Sequence, residues 1–336
     1  MTLYRLIRPL LFSLDAERAH DFAMSFAGFV NRSPRFARLL HWWSGVVDRP
    51  KQVAGLTFPN VVGLAAGMDK NAVAPAAWHA FGFGFVELGT VTPRPQPGNE
   101  KPRMFRETAN QALINRMGFN NHGAFAVHRK LEGDEQAGLR PPFPIGISVG
   151  KNKDTPIEQA AEDFATAAEI VAPVADFLSI NISSPNTAGL RSLQTAAAAS
   201  ELVSNVVAVG GGKPVLVKLA PELDGDDLST VLDACLSAGA AGIIATNTLA
   251  VGNGDGRQQG GLSGRPLREV SRSRVAEIRK HVGDKPAVIG CGGIDDVDSA
   301  KAMLDAGADL IQLYTGLVYK GPFLPARIAR GLGRVG

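Results

Sequence analysis

Residues 287–313 read A-V-I-G-C-G-G-I-D-D-V-D-S-A-K-A-M-L-D-A-G-A-D-L-I-Q-L. The apolar run 287–290 suits a buried strand, and Gly292 and Gly293 allow a tight turn after it. Asp295 or Asp296 can cap a helix over 297–306, where Ala300, Met303 and Leu304 recur at helical spacing and Gly307 stops it. A second apolar run follows at 310–313. Two strands joined by a helix run parallel, because parallel strands need a long crossover.

The same unit repeats along the chain. Short apolar or β-branched runs lie at 61–65, 85–89, 145–149, 177–182, 215–219 and 242–245, with helix-like stretches such as 156–172 and 226–238 between them. Eight alternating units argue for a closed (β/α)8 barrel, with an open doubly wound sheet as the alternative. In such a barrel the site lies at the C-terminal strand ends.

Those ends carry an unusual set of residues. In order they offer A-G-M-D-K ending at Lys70, Thr90, Ser148, Asn181 with Ser184 and Asn186, Lys218, Thr246-Asn247-Thr248, Gly292-Gly293 and Tyr314-Thr315-Gly316. Neutral amides, hydroxyls and lysines dominate, which suits a flat amide-bearing ring with some negative charge. Glycine turns followed by helix N-termini suit a phosphate. Taken singly, S-S-P-N at 183–186 is good turn chemistry and Lys70 or Lys218 a solvated strand end. Taken together, eight such ends facing one mouth favour a site.

Composition excludes several classes. With 336 residues, 45% hydrophobic and 20% charged, the chain is an ordinary globular one. Cys235 and Cys291 make no disulfide framework, and the six histidines show no zinc spacing. No apolar run approaches the ~20 residues of a spanning helix. Arg8, Asp15, Glu17 and Arg18 break the apolar run near the N-terminus, so no secretory leader is expected. The net charge of +3 resides in residues 1–50, with seven arginines against four acids. The rest holds 28 basic and 28 acidic residues, which leaves no excess for a nucleic-acid surface.

Residues 1–45 form a separate expectation, a helical segment ahead of a barrel at 46–336. Leu3, Leu6, Ile7, Leu10, Leu11 and Leu14 recur near helical spacing, and Phe22, Phe26 and Phe29 continue an apolar face. Arg35, Arg38, Trp42 and Trp43 add the arginine–aromatic mixture of a membrane-surface helix.

The motifs A-A-G-M-D-K-N, V-E-L-G-T-V-T-P-R-P-Q-P-G-N, I-N-R-M-G-F-N-N-H-G, G-K-N-K-D-T, I-N-I-S-S-P-N-T, I-A-T-N-T, Q-G-G-L-S-G-R-P-L and G-G-I-D stand in this order. The combination resembles the dihydroorotate dehydrogenases, over about residues 5–330. Ser184, where the soluble class has cysteine, and L-D-A-E-R-A-H at 14–20 make it similar to the membrane-associated, quinone-reducing class.

The resemblance implies an FMN-containing barrel that oxidises dihydroorotate to orotate in pyrimidine synthesis and passes electrons to a quinone. It implies Ser184 as the base for the C5 proton. It implies FMN contacts at Ala66, Gly67, Met68, Asp69, Lys70, Thr90, Ser148, Asn181, Lys218, Thr246, Gly264, Gly293, Tyr314 and Thr315. Ser148 stands where the family often has asparagine, so contact there is direct or through water. Substrate contacts are implied at Lys70, Asn115, Arg116, Met117, Gly118, Phe119, Asn181, Asn186, Asn247 and Thr248, and a quinone channel near His20 and Arg103. The enzyme is then expected to be a monomer, peripheral on the cytoplasmic side of the inner membrane, binding no metal and no nucleic acid. Two rival readings stay open here: a flavin reductase of uracil rings in RNA, and a silent barrel that binds a phosphorylated metabolite or a lipid.

Overall fold

The computed structural model describes residues 4–187, 189–252 and 258–334, so Leu3 lies outside the described residues. Eight strands close into a parallel barrel in chain order: β1 (Val62–Leu64), β2 (Phe85–Val91), β3 (Ile145–Val149), β4 (Phe177–Asn181), β5 (Val215–Leu219), β6 (Gly242–Ala245), β7 (Ala287–Cys291) and β8 (Leu310–Leu313). Each pairs in parallel with its neighbours, and β8 closes on β1 through Ile311 opposite Val62. The open-sheet alternative is thereby set aside.

The sequence pattern explains the closure. All eight strands are buried almost throughout, as strands covered on both faces must be, so they read as apolar runs. The apolar layer between strands and outer helices is the main core. The helix Val297–Asp305 has Asp296 as its cap, one of the two residues anticipated, and Asp296 and Ser299 hydrogen-bond each other's backbone N–H groups as a capping box.

Inside the barrel, large and small residues alternate. An added Cβ on Gly63 would sit 2.1 Å from the Phe85 ring, and one on Gly146 would sit 2.0 Å from Phe177. Those glycines make room for the phenylalanines. An antiparallel hairpin, Lys51–Val53 with Leu56–Phe58, closes the N-terminal end. Its turn places Ala54 and Gly55 at φ of 49° and 78°, the tight two-residue turn that suits strand twist. Phe58 then stacks edge-on against Phe85 at 5.2 Å. The barrel is plugged below and open only above.

Two long connections rise beside the open end. The β2–β3 connection supplies the strands Met104–Glu107 and Ala112–Asn115, and the β6–β7 connection supplies Leu249–Val251 and Gly260–Gly264. Together they make a four-stranded antiparallel sheet that walls one side of the open end. The wall has a small apolar core of its own, built on Ala112, Ile114, Val251 and Leu262.

The chain begins with three helices: α1 (Tyr4–Ser13), α2 (Ala16–Asn31) and α3 (Pro34–Ser44). Asp15 separates the first two, and its Oδ1 accepts from the N–H groups of Glu17 and Arg18 as the cap of α2. Pro34 opens α3 and Gly45, at φ 60°, ends it. Tyr4 Oη donates to the Val318 carbonyl at 2.6 Å, and Arg106 Nη1 donates to the Leu14 carbonyl at 2.8 Å. So α1 is tied to the barrel at both ends.

Candidate active site

The open end of the barrel forms a cleft floored by strand ends and walled by the antiparallel sheet. At its base lies Glu87 of β2, fully buried. Its Oε2 accepts from Lys218 Nζ at 3.1 Å, Gln312 Nε2 at 2.9 Å and the Ala66 N–H at 3.2 Å, and its Oε1 accepts from Ser179 Oγ at 2.6 Å. A buried carboxylate is expensive unless paired and hydrogen-bonded, and this one has four donors. Burial by itself pushes the Lys218 pKa down, but the charge of Glu87, with lesser help from Cys291 and the hydrogen bond to Glu87, outweighs it, and the pKa ends above the usual lysine range.

A second network is wholly neutral. Thr90 Oγ1 shares a hydrogen bond with Ser148 Oγ at 3.0 Å and accepts from Asn181 Nδ2 at 2.8 Å. Asn181 Oδ1 accepts from Asn247 Nδ2 at 3.1 Å and Ser183 Oγ at 3.2 Å. On the wall, Asn186 Nδ2 donates to Asn115 Oδ1, whose own Nδ2 donates to the Gly261 carbonyl, each at 3.3 Å. The Asn186 N–H donates to Ser184 Oγ at 3.2 Å, so the serine closes the turn that also presents it. The polar groups after β4 are thus turn formers and site residues at once.

Lys70 is the third feature. Its Nζ donates to the Gly67 carbonyl at 2.7 Å. Burial, helped by the nearby Arg103 charge, brings its pKa down to about 8. At neutral pH it is a cation held beside an otherwise neutral cage.

Most residues expected at the site from the sequence line this cleft, including Ser184, Lys70, Asn181, Lys218, Asn247 and Tyr314. Four stand elsewhere. Asp69 turns away to accept from the N–H groups of Val73 and Ala74 and from Trp78 Nε1, which fixes the start of helix Pro75–Ala80. Met68 is buried in the core beside it. Ser148 lies beneath Thr90. Arg116 folds outward, its guanidinium on the Pro102 carbonyl and over the Phe105 ring.

The proposed channel pair is also located. Arg103 is buried and clamps α2 to the wall, with Glu17 on Nε and Nη2 and the carbonyls of Pro97 and Asn99 on Nη1. His20 faces a second cavity between α2 and the barrel, and Lys70 and Met117 line both cavities. Burial and then the Lys70 charge push the His20 pKa down to about 3, so its ring is neutral.

Sequence reasoning missed Glu87, Gln312 and Gln111. Gln312 and Gln111 line the cleft, and each has a buried Oε1 with no partner among the described residues. For Glu87 and Gln312 the available signal was a charged or amide residue inside an apolar strand, as in V-E-L and I-Q-L, since burial there demands a partner. Gln111, in a turn, carries no such mark. Two orphan acceptors, two lysines and a ring of amides fit a flavin, whose ring N–H and side-chain hydroxyls are the donors these acceptors lack. Among the described residues no cluster of His, Cys, Asp or Glu can hold a metal ion.

Relatives share this architecture. The sequence model of one family, dihydroorotate dehydrogenase, matches residues 50–335. A protein of Chloroflexus aurantiacus named dihydroorotate dehydrogenase (quinone) is 47% identical, across 97% of this chain and 94% of its own. One of the same name from Vibrio parahaemolyticus is 45% identical, across 98% of this chain and 100% of its own. The crystal structure of DHODH from Eimeria tenella in complex with ferulenol superimposes with a TM-score of 0.84 at 34% identity, covering 95% of this chain and 91% of that one. By fold, by site and by full-length similarity, the chain belongs to the dihydroorotate dehydrogenase family.

Proposed function

We propose that this chain oxidises dihydroorotate to orotate in de novo pyrimidine synthesis, with FMN in the cleft and a membrane quinone as the final electron acceptor. The observation that carries this reading is the cleft itself: Ser184 among four fixed asparagines, with Lys70 beside them and the Glu87–Lys218–Gln312 cluster below. Bound FMN would supply a hydride acceptor for C6 of the substrate and the onward route for its electrons. Lys218, Gln312, Thr246 and the turns at Gly293 and Tyr314–Thr315 would hold it.

The chain's own residues supply the rest. Substrate and product are planar rings edged with amide N–H and C=O groups, and asparagine offers both a donor and an acceptor without charge. Asn115, Asn181, Asn186 and Asn247 are held in orientation by one another, so they read that edge without rearranging. Lys70 takes the carboxylate. Ser184 Oγ takes the C5 proton as the C5–H bond breaks. Because a hydroxyl is a weak base, it passes its own proton onward as it accepts the new one. Thr187 is suited to relay it through water: its hydroxyl is buried three residues on and has no partner among the described residues.

The helical segment fits the electron acceptor. Leu6, Leu10, Phe22, Phe29, Trp42 and Trp43 are all more than half exposed. Large apolar side chains concentrated on one segment mark an interaction surface. Together with the local excess of arginine, they fit peripheral attachment to the anionic, cytoplasmic face of the inner membrane. No helix among the described residues is long and apolar enough to cross a membrane. In this reading the protein acts as a monomer, and the quinone ring approaches from the lipid between the helices and the barrel, on the side of His20, with Tyr314 between it and the FMN.

Purified protein should be yellow, and dihydroorotate without air should bleach it. Protein that stays colourless after incubation with FMN would contradict the proposal.

A further inference from the structure

Glu87 touches neither the solvent nor the cleft, yet it holds two side chains that line the cleft. A carboxylate can only accept hydrogen bonds. Gln312 must therefore turn its Nε2 toward Glu87, where it donates at 2.9 Å, and its Oε1 is left as the free end. That oxygen is buried and unpartnered among the described residues. Lys218 Nζ lies on the same Oε2 at 3.1 Å. One carboxylate thus fixes a cation and a carbonyl acceptor side by side at the cleft floor.

We infer that Glu87 is a positioning residue for the cofactor, acting through Lys218 and Gln312: it keeps the ammonium charged and in place and dictates which end of the amide faces the ring. This rests on the flavin reading of the cleft above. It also predicts how the protein handles charge when the ring system gains electrons. With Glu87 present, Lys218 is a cation before and after reduction and takes up no proton. Without it, Lys218 is a buried amine with no counter-charge in the oxidised state, and burial then favours its neutral form. It must collect a proton as the negative charge of reduction arrives. The titratable groups acting on Lys218 are Glu87 from β2 and the Cys291 thiol from β7, and burial holds that thiol protonated. The hydroxyl of Ser179 and the amide of Gln312 do not titrate in the range concerned.

The test is the flavin midpoint potential measured against pH in Glu87→Gln. The variant should gain up to one proton per two electrons, a slope steeper than the native one by about 30 mV per pH unit. Glu87→Asp, which keeps the charge, should keep the native slope. Because a buried charge stripped of its partner can prevent folding, the double variant Glu87→Gln/Lys218→Gln provides a second arm. With no unpaired lysine left to bury, it should fold better than Glu87→Gln alone, while holding flavin less tightly than the native protein. A yellow Glu87→Gln protein with native potential and slope would overturn the inference, as would a double variant no better folded than the single one. Native protein that takes up no flavin would overturn the proposed function itself, which separates the two failures.

Discussion

The cleft and the N-terminal helices solve opposite problems with opposite residues. In the cleft, polar groups are buried and satisfy one another: Glu87 has four donors, and Thr90, Asn181, Asn247 and Ser183 form one chain. On α1 to α3, large apolar groups stand out into solvent, with Trp42 77% and Leu6 76% accessible. The first arrangement fixes a geometry, because breaking one bond strands a buried partner. The second creates a surface that lowers its free energy only against something outside the chain. What the contrast teaches is a division of labour. In the proposed function, the rigid part performs the chemistry on the polar substrate, and the segment with the greasy outer face serves the apolar one.

The sharpest way to break the comparison is at Ser184. Ser184→Ala removes a hydroxyl and leaves the asparagine cage, so orotate binding should persist. Flavin reduction by dihydroorotate should slow by about 10²–10⁴-fold, measured by rapid mixing without air. Near-native reduction would take the proton-transfer role away from this residue.

A smaller effect concerns Lys70. Its pKa of about 8 means that the cation is present below that value and lost above it. The KM for dihydroorotate in flavin reduction should therefore rise about tenfold per pH unit above pH 8. A KM flat to pH 10 would show that another group meets the carboxylate.

The smallest effect is on stability, at the join between α3 and the barrel. His41 and His79 stack at 4.2 Å, and burial, with the His41 charge second, pushes the His79 pKa down to about 4. The unfolded chain binds that proton near pH 6.5, so folding stability falls as pH drops from about 6.5 to 4. His79→Phe keeps a ring in the stack and removes the proton. Its melting temperature should fall less steeply over that window than that of the native chain, by calorimetry. Parallel curves would exclude His79 as a contributor.

The barrel was legible in the sequence because its strands are buried on both faces and its turns are marked by glycine and capping residues. The runs at 145–149, 215–219 and 310–313 coincide with β3, β5 and β8. The side wall was less legible. A-L-I-N and G-G-L-S-G are short, and they pair across nearly 150 residues, so nothing local announces the partner. At the site, residues in loops stood out because their chemistry interrupts an apolar run. Glu87 did not, although its motif was in view, because a carboxylate inside a strand acquires meaning only when Lys218 and Gln312 close around it. The same limit explains Asp69, which sits in a motif rich in site residues but is committed by hydrogen bonding to a helix start.

The division of labour itself is best tested in one protein by following the flavin in both half-reactions. Leu10→Asp/Phe22→Asp/Trp42→Asp changes three side chains that are 70%, 61% and 77% exposed, and so leaves the barrel packing alone. Each loses a side chain whose burial in lipid is worth about 1.5–3 kcal/mol when complete, so vesicle binding should fall by at least about a hundredfold. Dihydroorotate should bleach the triple variant at the native rate, while re-oxidation by a long-chain quinone in vesicles should nearly stop. Native re-oxidation by that quinone in the triple variant would contradict it.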